Sequence, residues 1–382
     1  MPCVADAKLD SLHKTLLELR GKPFDWGGPR GAVAKLTVVK HQLRDWFETQ
    51  LATFPRDGEE HVFAHNLNRQ LKESGAAGES DYDAFRGMGY VGGLKVQRSG
   101  AFLVLTTSVS IECGVDDSAY VFAWSDEGWR RVWQNEQNIY VEGKYKPQFL
   151  TEVLISPWSP GNNYVVLTLG FGTWCSSNWH SAYYRAFRLG PDPMAAALAE
   201  GDEYAFHPER IRGSVTDKEI LVEFTVGSID TGVHNRQAVR RYRIDGSTAK
   251  RIDPLALKPR DFVDEWLRHD WNEAAFWSES DGRPHALQFH ERLRKPESKY
   301  GEFIETTAHC PQRPDLWQVG MDFTRSESPT KTEDHVWFLV RWRPPFRFTM
   351  VDVSDKPATD CNQRDRRADE ERNTMFPGAI PP

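Results

Sequence analysis

Ser118-Ala119-Tyr120-Val121-Phe122-Ala123-Trp124 runs into a polar turn, Ser125-Asp126-Glu127-Gly128, and out through Trp129-Arg130-Arg131-Val132-Trp133. Two runs rich in aromatic and β-branched residues around a Gly-ended turn read as a β-hairpin. The opening triplet returns at Ser181-Ala182-Tyr183, which leads through Tyr184-Arg185-Ala186-Phe187-Arg188-Leu189 to a second turn, Gly190-Pro191-Asp192-Pro193. Units that recur in this way must stack to bury their faces, so the pattern predicts a repeated β-architecture.

Further strands surround these two hairpins. Leu94 to Val96, Phe102 to Leu105, and Val109 with Ile111 lead into the first. Phe149 to Ile155 and Tyr164 to Phe171, joined by the turn signal Ser159-Pro160-Gly161-Asn162-Asn163, lead into the second. Met194 to Leu198 reads as its closing strand or as a short helix. A third unit holds Ile220 to Val226, Ala238 to Ile244, a turn at Asp245-Gly246-Ser247, and Ala249 to Ile252. A fourth holds Phe303 to Thr307, Trp317 to Phe323, Val336 to Arg343, and Arg347 to Val353. Gln237-Ala238-Val239 stands where the third unit would repeat the triplet, so the strand–turn–strand ending is what persists. The basic run Arg240-Arg241-Tyr242-Arg243 reads as the solvated side of a strand.

Helical spacing appears in two places. Leu9, Leu12, Leu16 and Leu19 form one stripe, and Arg20-Gly21 looks like its stop. Leu36, Val39, Leu43, Trp46, Phe47, Leu51 and Phe54 form another, and Val62, Phe63, Leu67 and Leu71 a third. Such a module has no long partner of its own and is expected to pack on the β-region C-terminal to it. Later, Pro259 opens an inserted helix with Val263, Leu267, Trp271 and Ala275 on one face. Asp261, Asp264 and Glu265 suit its positive N-terminal end, and Phe262, Trp266, Phe276 and Trp277 read as its packing on the sheet.

The expected fold is therefore mainly β. It has about four repeated four-stranded antiparallel units, propeller-like, with a β-sandwich or open stacked sheets as the alternative. The expected divisions are a helical N-terminal module over 1–78, a repeated-β domain over 79–355 with its helical insertion at 258–280, and a charged, then Pro/Gly-rich tail over 356–382. The Trp-Asp and Gly-His signatures of the commonest propeller family are missing.

Composition narrows the function classes. The 382 residues include 14 Trp and carry a formal net charge of −7. A net acidic chain does not fit nonspecific nucleic-acid or anionic-membrane binding, both of which need a basic surface. The longest apolar runs, such as Tyr164 to Leu169, are too short to span a bilayer. No charged segment followed by an apolar one opens the chain. That predicts a cytoplasmic protein if Met1 is native, and a periplasmic or secreted one if this is a mature form. The five cysteines (Cys3, Cys113, Cys175, Cys310, Cys361) show no CxxC, which argues against structural zinc. They read as isolated buried thiols, with Cys310–Cys361 or Cys113–Cys175 as possible bridges in an oxidising compartment.

No motif demands a cofactor. Gly87-Met88-Gly89-Tyr90-Val91-Gly92 matches the dinucleotide-binding string, but a strand follows it rather than the helix whose N-terminus would hold a pyrophosphate. His290-Glu291 opens like a metalloprotease helix, yet Arg294 stands where the second His belongs. His285 and His290 are not at a same-face spacing. Neither a Gly-x-Ser-x-Gly elbow nor a phosphate-binding Gly-Lys-Ser/Thr loop occurs.

The segment richest in binding chemistry is Gly172-Thr173-Trp174-Cys175-Ser176-Ser177-Asn178-Trp179-His180. Trp174 and Trp179 can stack on a sugar or another flat ligand, while Asn178 and His180 offer directional hydrogen bonds. The corresponding links of the other units carry Asp116 and Asp117, His234, and His335. If these loops share a face, His180, His234 and His335 with Asp116 and Asp117 would form an acid–base or metal cluster. Cys175 with His180 is a nucleophile–base pair by residue type. The favoured reading is a non-catalytic binding or scaffold protein that takes a small molecule, carbohydrate or protein on this loop face. A hydrolase built from the convergent loops is the alternative, and a purely structural protein the third.

Overall fold

In a computed structural model of the chain, the structure describes residues 4–20, 30–78, 89–111, 114–136, 140–141, 144–145, 148–157, 164–172, 178–189, 196–228, 235–252, 256–294, 300–324, 333–343, 347–361 and 363–364. The protein is mainly β, made of open antiparallel meanders with helices added. It divides into two compact units. The first is Met1–Ile211 with Val215–Lys218 and Ile244–Thr248; the second is Arg212–Ser214, Glu219–Arg243 and Ala249–Pro382.

The first unit opens with helices α1 (Val4–Arg20), α2 (Arg30–Leu51) and α3 (Glu60–Glu73). Their leucine and aromatic stripes are buried as the spacing predicts, except that Phe63 is only partly buried and Val62 faces solvent. A meander follows: β1 (Lys95–Ser99), β2 (Phe102–Ile111), β3 (Gly114–Ser125) and β4 (Gly128–Asn135), paired in that order. Alternation splits this sheet into two faces. Leu103, Leu105, Tyr120 and Phe122 join Leu12, Leu16, Leu43, Trp46 and Phe47 in one core. The helical module thus buries its stripes on the sheet, and each fully buried large side chain contributes about 1.5–3 kcal/mol. The opposite face, Phe102, Val104, Ala119, Val121 and Trp133, enters a second core. Gly89 has φ +82, and a Cβ there would lie 2.9 Å from the Leu16 carbonyl oxygen, so the glycine-rich entry is a close approach to α1.

After the short pair β5 (Tyr140–Val141) and β6 (Lys144–Tyr145) comes a second meander. It comprises β7 (Gln148–Ile155), β8 (Val165–Gly172), β9 (Trp179–Arg188) and β10 (Ala199–Phe206). Leu150, Val153, Ile155, Val166 and Phe187 supply its side of the second core, and Phe187 packs on Trp133 at 5.5 Å. Within this unit the arrangement is therefore helices, sheet, sheet, stacked in layers. The closing strand is β10, not Met194 to Leu198: Ala196 and Ala197 lie outside any element. Its acidic alternation, with Glu200 and Asp202 turned to solvent, hides an apolar period. Gly201 belongs in this strand because a Cβ there would come within 2.1 Å of the Tyr184 ring that covers it.

Strands β11 (Arg212–Val215), β12 (Glu219–Gly227), β13 (Asn235–Asp245) and β14 (Thr248–Ile252) form the third run, with β13 between β12 and β14 and β11 beside β12. In the second unit the inserted region is several helices, not one. These are α4 (Pro259–Arg268), α5 (Trp271–Ala274) with a 3-10 turn at Ala275–Trp277, and α6 (Arg283–Leu293). His269 leaves α4 in extended conformation, ψ 155°, and so ends the single stripe expected to continue to Ala275. Phe262, Trp266 and Trp277 are buried as expected, but Phe276 is 82% exposed. The expected solvation of the basic run fails at Arg240, which is buried with Arg236 against the acids of α4.

The last meander is β15 (Tyr300–His309), β16 (Leu316–Thr324), β17 (Glu333–Arg343) and β18 (Arg347–Ser354), with β19 (Gln363–Arg364) beside β15. One face, including Val319, Met321, Phe338, Val340 and Met350, buries the insertion's aromatics. A Cβ on Gly282 would meet the Val351 carbonyl oxygen at 2.1 Å, so this glycine lets α6 lie directly on β18. Cys310 and Cys361 are joined in a disulfide, which corrects the reading of isolated thiols for these two. Cys3, Cys113 and Cys175 lie outside the described residues.

Candidate functional site

Strand β9 alternates cleanly. His180, Ala182, Tyr184 and Ala186 are buried, while Trp179, Ser181, Tyr183, Arg185 and Phe187 are partly open. The register pairs Trp179 with Phe206, Ser181 with Tyr204, and Tyr183 with Asp202, so these six side chains share one face. At the Phe187 end that face enters the core between the sheets. At the other end it carries aromatics: Trp179 stacks on Tyr204 at 5.7 Å and 22° between planes, and packs on Phe206 at 4.9 Å. Tyr204 is 66% exposed. Gly170 and Gly172 supply the same face from β8, and a Cβ on Gly172 would meet the Tyr183 hydroxyl at 3.3 Å. The result is a shallow aromatic strip with small residues beside it and polar groups along it.

Its far end is closed by His207 and the 3-10 turn Pro208–Arg210, which lies over β8 and β9. The His207 amide donates to the Asn178 carbonyl at 2.8 Å, and its ring packs on Phe206 at 4.4 Å. Nδ1 of His207 and Oε1 of Glu209 are 2.7 Å apart.

Of the residues the sequence singles out, Trp179 lies on the strip and Asn178 at its end. His180 does not share that face. It follows Trp179 in a strand rather than in a loop, points to the buried side and packs edge-on against Phe171 at 5.5 Å. Burial pulls His180 below the ordinary histidine value; Glu209 opposes this and His207 adds to it. Trp174, Cys175 and His234 lie outside the described residues.

Asp116 and Asp117 are not in a connecting loop either. They sit inside β3, opposite Val109 and Ser108, and both are buried. Asp116 bonds Lys40 at 2.6 Å on the helix side, and Asp117 accepts the Leu150 amide at 2.5 Å on the other. Burial, reinforced by Asp116, pushes Asp117 up to about 8 against the pull of the Leu150 amide and Lys40. His335 lies in β17 of the second unit, exposed, and pairs with Asp322. The titratable neighbours of His180 are Glu209 and His207, and those of Asp117 are Asp116, Lys40 and Lys95. The described members of the expected convergent cluster thus fall in separate surroundings. No group of three His, Cys, Asp or Glu among the described residues is arranged to hold a metal ion.

Tyr204, Phe206, His207 and Glu209 escape a reading of the sequence alone, because β10 does not show itself as a strand there. The available signal is Tyr204-Ala205-Phe206, a period-two aromatic pair just before His207-Pro208.

No protein-family model and no curated protein matches the chain. Among solved structures it is similar to one described as "Crystal structure of exotype rhamnogalacturonan lyase YesX", at 11% identity and a TM-score of 0.20, over 70% of this chain and 51% of that one. The match spans about half of that protein's length, and a likeness this distant carries no argument about function. No helix among the described residues is long and apolar enough to cross a membrane.

Proposed function

We propose that this is a non-catalytic binding protein that holds a ring-shaped ligand against the Trp179–Tyr204 strip of its first unit. The supporting observation is the stacked pair itself, with Tyr204 largely open to solvent. An aromatic side chain left largely open to solvent gains little from packing, whereas a stacking surface for a sugar or aromatic ring requires one. The hydrolase reading has less support, since Asp116 and Asp117 are buried within β3 and His180 faces away from the strip.

Screening the full chain against soluble polysaccharides and flat phenolic compounds tests the proposal. Trp179→Ala with Tyr204→Ala should lower affinity for whatever is bound by more than about tenfold, which is about 1.4 kcal/mol. The circular dichroism of the β-structure should persist. Unchanged affinity in the double variant would overturn the assignment.

A further inference from the structure

We infer that the ring held by this strip belongs to a neutral saccharide, and that His207 is its specificity-determining hydrogen-bond partner. The inference rests on the binding reading above and extends it. His207 has φ 49° and ψ 56°, and it is the only non-glycine residue with positive φ among those described. Side chains rarely adopt that conformation without a local reason. Here the surroundings hold it on several sides. The His207 amide is tied to Asn178, its carbonyl accepts the Arg210 amide at 3.0 Å, and Pro208 follows. The left-handed turn brings the imidazole onto Phe206, at the end of the aromatic strip, rather than away from it.

The hydrogen bonding then settles what the ring offers. A carboxylate only accepts, so the Glu209 contact places a proton on Nδ1. Nε2 is left for a ligand, and it makes no hydrogen bond among the described residues. The side chain is 30% exposed, so a ligand can reach it. The other polar groups on this face are the Glu209 and Asp202 carboxylates, which accept, and the hydroxyls of Ser181, Tyr183 and Tyr204, which both donate and accept. Arg185, on the same face, is engaged with Glu200 at 3.5 Å. Hydroxyls and carboxylates along one edge suit a ligand rich in O–H groups, and the two carboxylates disfavour a ligand carboxylate or phosphate. A ligand with a C–H face for Trp179 and Tyr204 and hydroxyls around its rim is a neutral sugar.

Affinity electrophoresis of the full chain separates the possibilities. The gels carry a β-glucan, a xylan, a mannan, a galactan or the acidic polygalacturonate, and a flavonol titration runs alongside. His207→Gly is the informative variant. It removes the imidazole and relieves the positive φ, so it should unfold at the native temperature or above it. At least one neutral polysaccharide should retard the native chain. Trp179→Ala should abolish that retardation, and His207→Gly should weaken it about tenfold or more. His207→Gln, which restores a hydrogen-bonding side chain, should recover part of the loss. Native-like retardation of His207→Gly, with loss in Trp179→Ala, would overturn the role of His207 and leave the strip intact. Retardation by polygalacturonate alone overturns the neutral class. Flavonol binding that needs Trp179, with no polysaccharide bound, overturns the saccharide and keeps the strip. Binding of neither class overturns both readings.

Discussion

The Lys40 ammonium and the Asp116 carboxylate meet at 2.6 Å with both side chains fully removed from solvent. They join α2 to β3 across a core otherwise made of leucine and aromatic side chains. Removing two charges from water costs several kcal/mol each, and their attraction recovers this only while both are present. Lys40→Met should therefore destabilise the protein by about 3–5 kcal/mol, because it strands Asp116. Lys40→Met with Asp116→Leu should recover most of that loss. Urea unfolding of the two variants checks the pair; equal loss in both would show that the charges contribute net stability.

Asp117, the next residue, points to the opposite face, and its carboxyl is pushed up to about 8, chiefly by burial. The sign follows from linkage. The folded state holds this proton more tightly than the unfolded chain, whose aspartate titrates near 3.8. The contribution to stability is therefore complete below 3.8 and is lost as pH rises through about 8. Asp117→Asn keeps an acceptor for the Leu150 amide and has no proton to lose. It should be more stable than the native chain at pH 9, and the two should converge at pH 4. Thermal unfolding across that range measures the difference. A constant offset at all pH values would exclude Asp117 as its source.

Glu265 is the hub of the second unit's charged layer. It bonds Arg240 at 2.9 Å, Arg236 at 3.1 Å and His269 at 3.2 Å. Burial disfavours its charge, yet the bond from His269 and the charges of Arg236 and Arg240 hold it well below the usual glutamate range. The same bond raises His269 above 6.5 against burial, with Glu273 adding to it. A raised histidine contributes fully below 6.5, and its contribution is lost as pH rises through the raised value. His269→Gln should flatten the fall in stability above pH 6.5 seen in the native chain. Glu265→Gln should cost about 3–5 kcal/mol by leaving buried guanidinium groups short of charge. Denaturation at several pH values reads both effects.

These three clusters also mark where the sequence stops being legible. The helical stripes and the hairpins are readable because each is a local period, enforced by one buried face. Lys40 and Asp116, or Arg240 and Glu265, meet across long stretches of chain and leave no local trace. Aspartates beside a glycine therefore look like a loop, and an arginine in a basic run looks solvated. The candidate site shows the same limit at closer range. Trp179 and His180 are neighbours in the chain, but a strand turns them to opposite faces. A common role for them rests on adjacency, and pleating cancels adjacency. Tyr204 comes to Trp179 only through a strand whose acidic residues mask it.

The disulfide gives a further check on how the second unit holds together. Cys310 follows β15 and Cys361 follows β18, at a sequence separation of 51, so the bridge encloses β16, β17 and β18. Both cysteines are buried beside Leu316, Leu339 and Val351. Arg313 binds Asp360 at 2.7 Å across the same junction. That ion pair is partly exposed and is worth only about 0–1 kcal/mol, so the covalent link should dominate. Closing a loop of this length removes unfolded-state entropy equivalent to about 4 kcal/mol. Cys310→Ala with Cys361→Ala should lower the urea midpoint accordingly, and a reductant should shift the native chain toward the variant while leaving the variant unmoved. Arg313→Ala should have a small effect. If the reductant shifts the variant as much as the native chain, the stabilisation does not come from this bridge.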